Sequence, residues 1–192
     1  MNKGLTLIEL LVSMTMLSLT ITGVVSIFTA TVSGQERSLA SQEMLDQSSY
    51  VVEYMSRILR MAKKDTEGAC LGDLTLNYSK NINSDTIRFL SYHDQCYEFR
   101  LDTENNKLQE RKSSDNTATN FPDYWTDLTS DELQVLSFII GSDDSWDEND
   151  DLQPRITLFF EIKGNRAGLK PEEQPVLNLQ TTVSQRNLDV VY

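Results

Sequence analysis

Proline is missing from the first 121 residues of this 192-residue chain, and only four occur in all. Glycine is almost as scarce at the start, with Gly4, Gly23 and Gly34 the only three before Gly68. Nothing in the first sixty residues therefore forces a break in a helix; each isolated glycine costs only about 1 kcal/mol. Histidine occurs once, as His93 in "SYHDQC", a turn-like stretch where an exposed histidine is the reading. No GxSxG, HExxH or phosphate-cradling glycine loop is present, so the common hydrolase, zinc-peptidase and nucleotide-binding motifs are excluded. Carboxylate pairs abound, as in any acidic domain, and identify nothing. An enzyme is not expected.

The two cysteines, Cys70 and Cys96, form no CxxC, and one histidine is too little to complete a zinc site with them. In an oxidising compartment they read as one disulfide; in a reducing one, as two buried thiols. A bond would staple the end of the N-terminal helix to a strand, and closing a loop of about 27 residues is worth on the order of 3 kcal/mol.

Charge is lacking where apolar residues are dense. From Leu5 to Val32 the only charge is Glu9, although a carboxylate in a bilayer interior costs about 2.5–3.5 kcal/mol on insertion scales. As a helix this run spans about 42 Å, longer than the roughly 30 Å of a bilayer core. The short basic flank at Lys3 favours an N-terminus in the cytoplasm and the remainder outside. A cleaved signal peptide is the competitor, since "IFTATVSGQE" offers small residues at Ala30 and Ser33. The apolar run is long for that role, and an acid within it is out of place.

The next stretch of the chain is one-sided. In "SLASQEMLDQSSYVVEYMSRILRMAKK", Leu45, Val52 and Leu59 repeat at seven, with Val51, Met55, Ile58 and Ala62 on the neighbouring face. Lys63 and Lys64 would occupy the last turn, which suits the negative end of the helix dipole. Residues 5–64 thus read as one helix, apolar through residue 32 and amphipathic over 33–64. Residues 1–64 hold six Lys/Arg against five Asp/Glu, whereas residues 65–192 hold eleven against twenty-four, a net charge of −13. Such a surface repels nucleic-acid phosphate, so direct nucleic-acid binding is not expected.

In residues 65–192, "RITLFFEIK" puts Ile156, Leu158, Phe160 and Ile162 on one face at strand period. "CYEFRLD" does the same with Tyr97, Phe99 and Leu101, and "TENNK" turns it into "LQERK" as a hairpin. "TIRFLSY" is a further strand, "LQVLSFII" reads as a central strand because it is apolar on both faces, and "VLNLQTTVS" reads as an edge strand. "TSDEL" offers one capped turn. The expected class is α+β, with an antiparallel sheet wrapped on the amphipathic half of the helix. Three loops are candidates for specificity, at 113–125, 141–151 and 165–175. In the second, Asp147, Asn149 and Asp151 alternate as in a calcium loop. The match is poor, because no glycine follows at the sixth position and Leu158 stands where the bidentate Glu belongs. A solvated acidic loop is the plainer reading, and no cofactor is otherwise expected.

"KGLTLIELLVSM" resembles the N-terminal processing motif of type IV pilins and pseudopilins: a short basic leader, Gly, an apolar residue, then Glu at the fifth position of the mature chain. The likeness covers about thirty residues closely and the remainder in architecture only. It implies a leader at 1–4, cut by a prepilin peptidase between Gly4 and Leu5, and methylation of the new Leu5 amine. Leu5 departs mildly from the Phe or Met usual there, and the proline common within the membrane half of major pilins is absent. Glu9 would then lie one turn from a free amine and pair with that of a staggered neighbour, an assembly role. The implied partners are other pilin-like subunits, the peptidase, an inner-membrane assembly platform and membrane lipid. The implied location is a single-pass inner-membrane protein, its head outside the cytoplasm, that passes into a pilus or pseudopilus. "DLQPRITLFFEI" and "LQTTVSQR" resemble the endings of J-like minor pseudopilins and W-like minor pilins, and retention of Glu9 speaks against the extreme tip of a filament. Two other readings stay open: an adhesive or ligand-binding head displayed on a filament, and a membrane-anchored domain that never assembles.

Overall fold

The computed structural model describes residues 6–74, 76–83, 85–141, 144–146 and 152–186. A long α-helix, α1, runs from Leu7 to Arg60. The chain divides into two units, Met1–Leu39 and Ala40–Tyr192. In the first unit the described helix residues are all exposed. In the second, Ala40, Met44, Ser48, Val51, Met55 and Leu59 are buried along one stripe, at the three- and four-residue spacing of a single helix face.

That stripe differs from the seven-residue repeat read in the sequence. Leu45 is 46 % exposed, and Met44 occupies the core in its place. The helix also ends four residues earlier than expected, for a tertiary reason. The carbonyls of its last turn are taken by donors from elsewhere in the fold. The Tyr78 hydroxyl donates to Leu59 O at 2.9 Å, and the Arg186 N–H donates to Arg60 O at 2.8 Å. Just beyond, the Tyr92 N–H donates to Met61 O at 3.0 Å. These bonds satisfy acceptors that a helix end leaves open and turn the chain into a strand, β1 (Ala62–Lys63). Lys63 is therefore not in a helical turn; it pairs with Asp94. The basic residues of the last turn are Arg57 and Arg60.

Eight further strands follow among the described residues: β2 (Ser79–Lys80), β3 (Thr86–Ser91), β4 (Cys96–Asp102), β5 (Lys107–Lys112), β6 (Thr126–Asp127), β7 (Leu133–Gly141), β8 (Arg155–Gly164) and β9 (Val176–Ser184). They form two antiparallel sheets rather than one. The first has the order β1-β3-β4-β5-β6 with β2 also on β3; the second is β7-β8-β9. The layout is α+β and pilin-like, a long apolar N-terminal helix with antiparallel sheets.

The hairpin predicted at "TENNK" joins β4 to β5, with Asn106 in the left-handed region at φ 54°. The face predicted for "RITLFFEIK" is the buried face of β8: Ile156, Leu158, Phe160 and Ile162 are at most 3 % exposed. β9 lies at an edge, as its composition suggested. β7 does not lie at the centre, because β8 does. The reason is a register shift between Val135 and Ser137 that leaves Leu136 out of the pairing. Before it the inward residues are Leu133 and Val135; after it they are Phe138 and Ile140, while Leu136 and Ile139 are exposed. Both alternations look apolar because the strand changes parity, not because both faces are covered. "TSDEL" forms a turn without a helix.

One core joins helix and sheets: Met44, Val51, Met55 and Leu59 pack with Ile87, Phe89, Phe99 and Leu108 from the first sheet and with Val135, Phe138, Leu158 and Phe160 from the second. Phe138 and Phe160 stack with ring centroids 5.1 Å apart. Aromatic pairs of this kind add about 0.5–1.5 kcal/mol beyond the area they bury.

Candidate functional site

The N-terminal unit carries the first candidate. Thr6 precedes the helix and caps it: the Glu9 N–H donates to Thr6 Oγ1 at 3.3 Å. Thr6-x-x-Glu9 has the spacing of a capping box, with the acid in the first turn where the helix dipole favours it. The pair is a local helix-start signal whose spacing is plain in the sequence but overshadowed by the apolar run beside it. Glu9 is thus held at a defined place in the first turn, exposed on the helix surface. Gly4 and Leu5, the expected cleavage and methylation positions, lie outside the described residues.

Beyond Glu9 the helix is long and apolar enough to cross a membrane by length and composition. Leu7, Leu19, Ile27 and Phe28 are 66–80 % exposed. Seven of the interspersed hydroxyls do not compromise this surface, since each finds a backbone partner on its own helix. Ser13 donates to Glu9 O at 2.7 Å, Thr22 to Ser18 O at 2.8 Å, Ser26 to Thr22 O at 2.9 Å and Thr31 to Ile27 O at 2.8 Å. A polar group satisfied within its helix needs nothing from lipid.

In the second unit, the segment after β1 is organised by a buried carboxylate. Asp65, 1 % exposed, accepts four backbone N–H bonds. Oδ1 takes Glu67 and Gly68 at 3.3 and 3.0 Å, and Oδ2 takes Cys70 and Leu71, both at 2.8 Å. Gly68 supplies a positive φ of 69° that the turn needs. This places Cys70 against Cys96 at the start of β4, and the two form a disulfide with Cα atoms 5.5 Å apart. Both are fully buried, in a small cluster with Leu71 and Leu90.

The loop at 113–125 is pinned across the first sheet. The Arg100 guanidinium lies 3.8 Å from the Trp125 ring centre, and that of Arg111 lies 4.5 Å from Phe121 and 4.3 Å from Trp125. Arg111 also pairs with the buried Glu98 at 2.6 Å. Beside this stack is a hollow of about 360 Å³ lined by Gln95, Lys112, Asn120 and Tyr124. The Asp115 carboxylate holds the loop start; bonds from the Thr117 hydroxyl, the Thr117 N–H and Asn120 keep it below the usual carboxylate range.

The loop at 165–175 is clamped at its base. Arg166 pairs with Glu43 of α1 at 2.9 Å, and Asn165 donates to Asp131 O at 2.9 Å. Close by, hydrogen bonding and repulsion from Glu43 raise the Glu132 carboxyl, while the Lys107 ammonium lowers Asp131. On the inner side, burial and a bond to Glu110 push the Tyr54 hydroxyl well above its ordinary value.

His93 lies exposed in the turn between β3 and β4, as its sequence context suggests. No group of three or more metal-ligating side chains occurs among the described residues; Asp147, Asn149 and Asp151, the calcium candidates, fall outside them. The basic and aromatic residues that meet here were not visible as a set, because the arginines come from three strands: Arg100 from β4, Arg111 from β5 and, 5.6 Å from the Phe121 ring centre, Arg88 from β3.

Comparison with known proteins bears on the N-terminal unit. Residues 1–27 match the family model described as the prokaryotic N-terminal methylation motif. This is the signature of type IV pilins and pseudopilins. No curated protein and no solved structure matches the chain.

Proposed function

We propose that the chain is a minor pilin or minor pseudopilin, a structural subunit rather than an enzyme. In this reading a prepilin peptidase cuts between Gly4 and Leu5 and methylates the Leu5 amine. The mature subunit waits in the inner membrane with its head outside and is then drawn by an assembly platform into a type IV pilus or type II secretion pseudopilus. The observation that carries the reading is Glu9, the lone acid in the capped first turn of a helix that is otherwise uncharged, exposed and apolar as far as Val32 and whose start matches the methylation motif. Two further features support it. A disulfide suits a head in an oxidising compartment, and the helix is continuous from the apolar segment into the head.

Glu9 then serves as a register device. In the low dielectric of a filament core its carboxylate pairs with the amine of an axially displaced neighbour, and either charge left alone is costly. Intact-mass and N-terminal peptide analysis of the chain from native membranes tests this. A mature N-terminus at methylated Leu5 is the expected result. A chain retaining Met1, or starting near residue 31, overturns the reading.

A further inference from the structure

β9 is exposed in a way the rest of the head is not. Its nine residues, VLNLQTTVS, contain no charge and no proline. They pair with β8 in unbroken register from Val176↔Lys163 to Ser184↔Arg155. Among the described residues no strand pairs with its other side. Sheets ordinarily protect such an edge with a lysine, a proline, a bulge or brevity, and β9 has none of these. The same corner carries exposed apolar surface. Ile139 is 49 % and Phe159 38 % exposed, and the two stand in register with each other and with Gln180 of β9. A shallow hollow of about 390 Å³ lies there. Charge sets the tract apart as well: residues 152–186 hold five Lys/Arg and three Asp/Glu, net +2, whereas residues 65–151 hold six and twenty, net −14.

From this we infer that the free edge of β9 accepts an extended, uncharged strand from a different subunit of the same filament, flanked by acidic surface. A second copy of this chain fits poorly in either geometry. Pairing β9 with itself requires a twofold axis perpendicular to the sheet. That axis sets the tract of net charge +2 in one copy against the same tract in the other, and the two repel. Head-to-tail pairing needs a second free edge of matching length, and the described residues offer none. β1, β2 and β6 are two residues each. The outer edge of β7 is engaged by the first sheet, with the Val135 N–H donating to Asn106 O at 2.8 Å and Lys80 Nζ reaching Ile140 O at 3.5 Å. The donor is therefore another chain, and main-chain bonds of the strand-addition kind provide its recognition. Its acidic flank is drawn to the one tract of the head that does not repel it.

This inference rests on the pilin reading, and the experiment separates the two. The full chain carrying a photo-crosslinking amino acid at Gln180 is expressed in the native host, irradiated in membranes, and analysed by mass spectrometry for adduct and N-terminus together. The expected result is a mature N-terminus at methylated Leu5 and an adduct to a strand of a different protein that bears its own methylation motif. The adduct should fall at least about tenfold with Asn178→Lys, a change worth only about 1.4 kcal/mol at the edge, while the disulfide and membrane insertion persist. With methylated Leu5 present, an adduct to a second copy, no adduct, or an adduct indifferent to Asn178→Lys overturns the inference alone. A retained Met1 overturns the pilin reading and the partner assignment with it.

Discussion

One helix, α1, carries two different surfaces. Over residues 7–39 its side chains are exposed almost all round, and the sequence shows it through the near-absence of charge. Over residues 40–60 the same secondary structure buries a single stripe, and the sequence shows it through period instead. The lesson is that helix length comes from local propensity and the lack of breakers, whereas the role of each half comes from what covers it. Among the described residues nothing covers the first half, whose one charge as far as Val32 is Glu9 in the first turn. The second half has a core around it and puts its charges outside.

The strongest way to test this contrast is to remove the function of one half while sparing the other. Glu9→Ala should reduce filament or pseudopilus assembly at least about 100-fold, since an unpaired charge in a dry core costs about 3–5 kcal/mol. The thermal midpoint of the head should not move; assembly is read by shearing and immunoblotting, the midpoint by circular dichroism. The converse is Leu59→Ala. This residue is fully buried, so the head should lose about 2–5 kcal/mol in denaturant unfolding. Leu19→Ala, at a position 74 % exposed, should leave that unfolding curve in place. Replacing Cys70 and Cys96 together by Ser should destabilise the head by about 3 kcal/mol without altering membrane insertion.

The smallest effect concerns the junction of helix and head. Hydrogen bonding and repulsion from Glu43 raise the Glu132 carboxyl in the folded state. A carboxyl raised on folding holds its proton more tightly when native, so its ionisation works against stability. That penalty is complete at neutral pH and fades as pH falls through the raised folded value to the ordinary one near 4.5. Glu132→Gln should therefore lift the melting midpoint slightly at pH 7, and the gain should vanish by about pH 4. A gain that persists at low pH would assign the effect to something other than the Glu43 pair.

Much of this molecule was legible in its sequence. The motif at residues 4–9, the unbroken helix, the hairpin at 102–107 and the inward face of β8 are all written in local patterns. The features that were not legible depend on distant partners. The end of α1 has no glycine to mark it, because Tyr78 and Arg186 supply the donors. Leu45 yields the core to Met44 because the sheets approach the helix from a direction that no heptad count contains. β7 mimics a central strand because one unpaired residue reverses its alternation. The stack of Arg100, Arg111, Phe121 and Trp125 needs three segments in place before any two of its members meet. Thr6 capping Glu9 is the exception, a local signal that the apolar run beside it outshone.

The bonds that close α1 also set a schedule. The Arg60 carbonyl waits for Arg186, and the Ala62 carbonyl for the Gln185 side chain. The first-made element of the head is thus completed by nearly the last-made one. During synthesis the helix is made early, and the end of it lacks these two donors until more than 120 further residues have been made. Chain order, not only free energy, keeps the head unfinished until the residues that follow its last strand have been made.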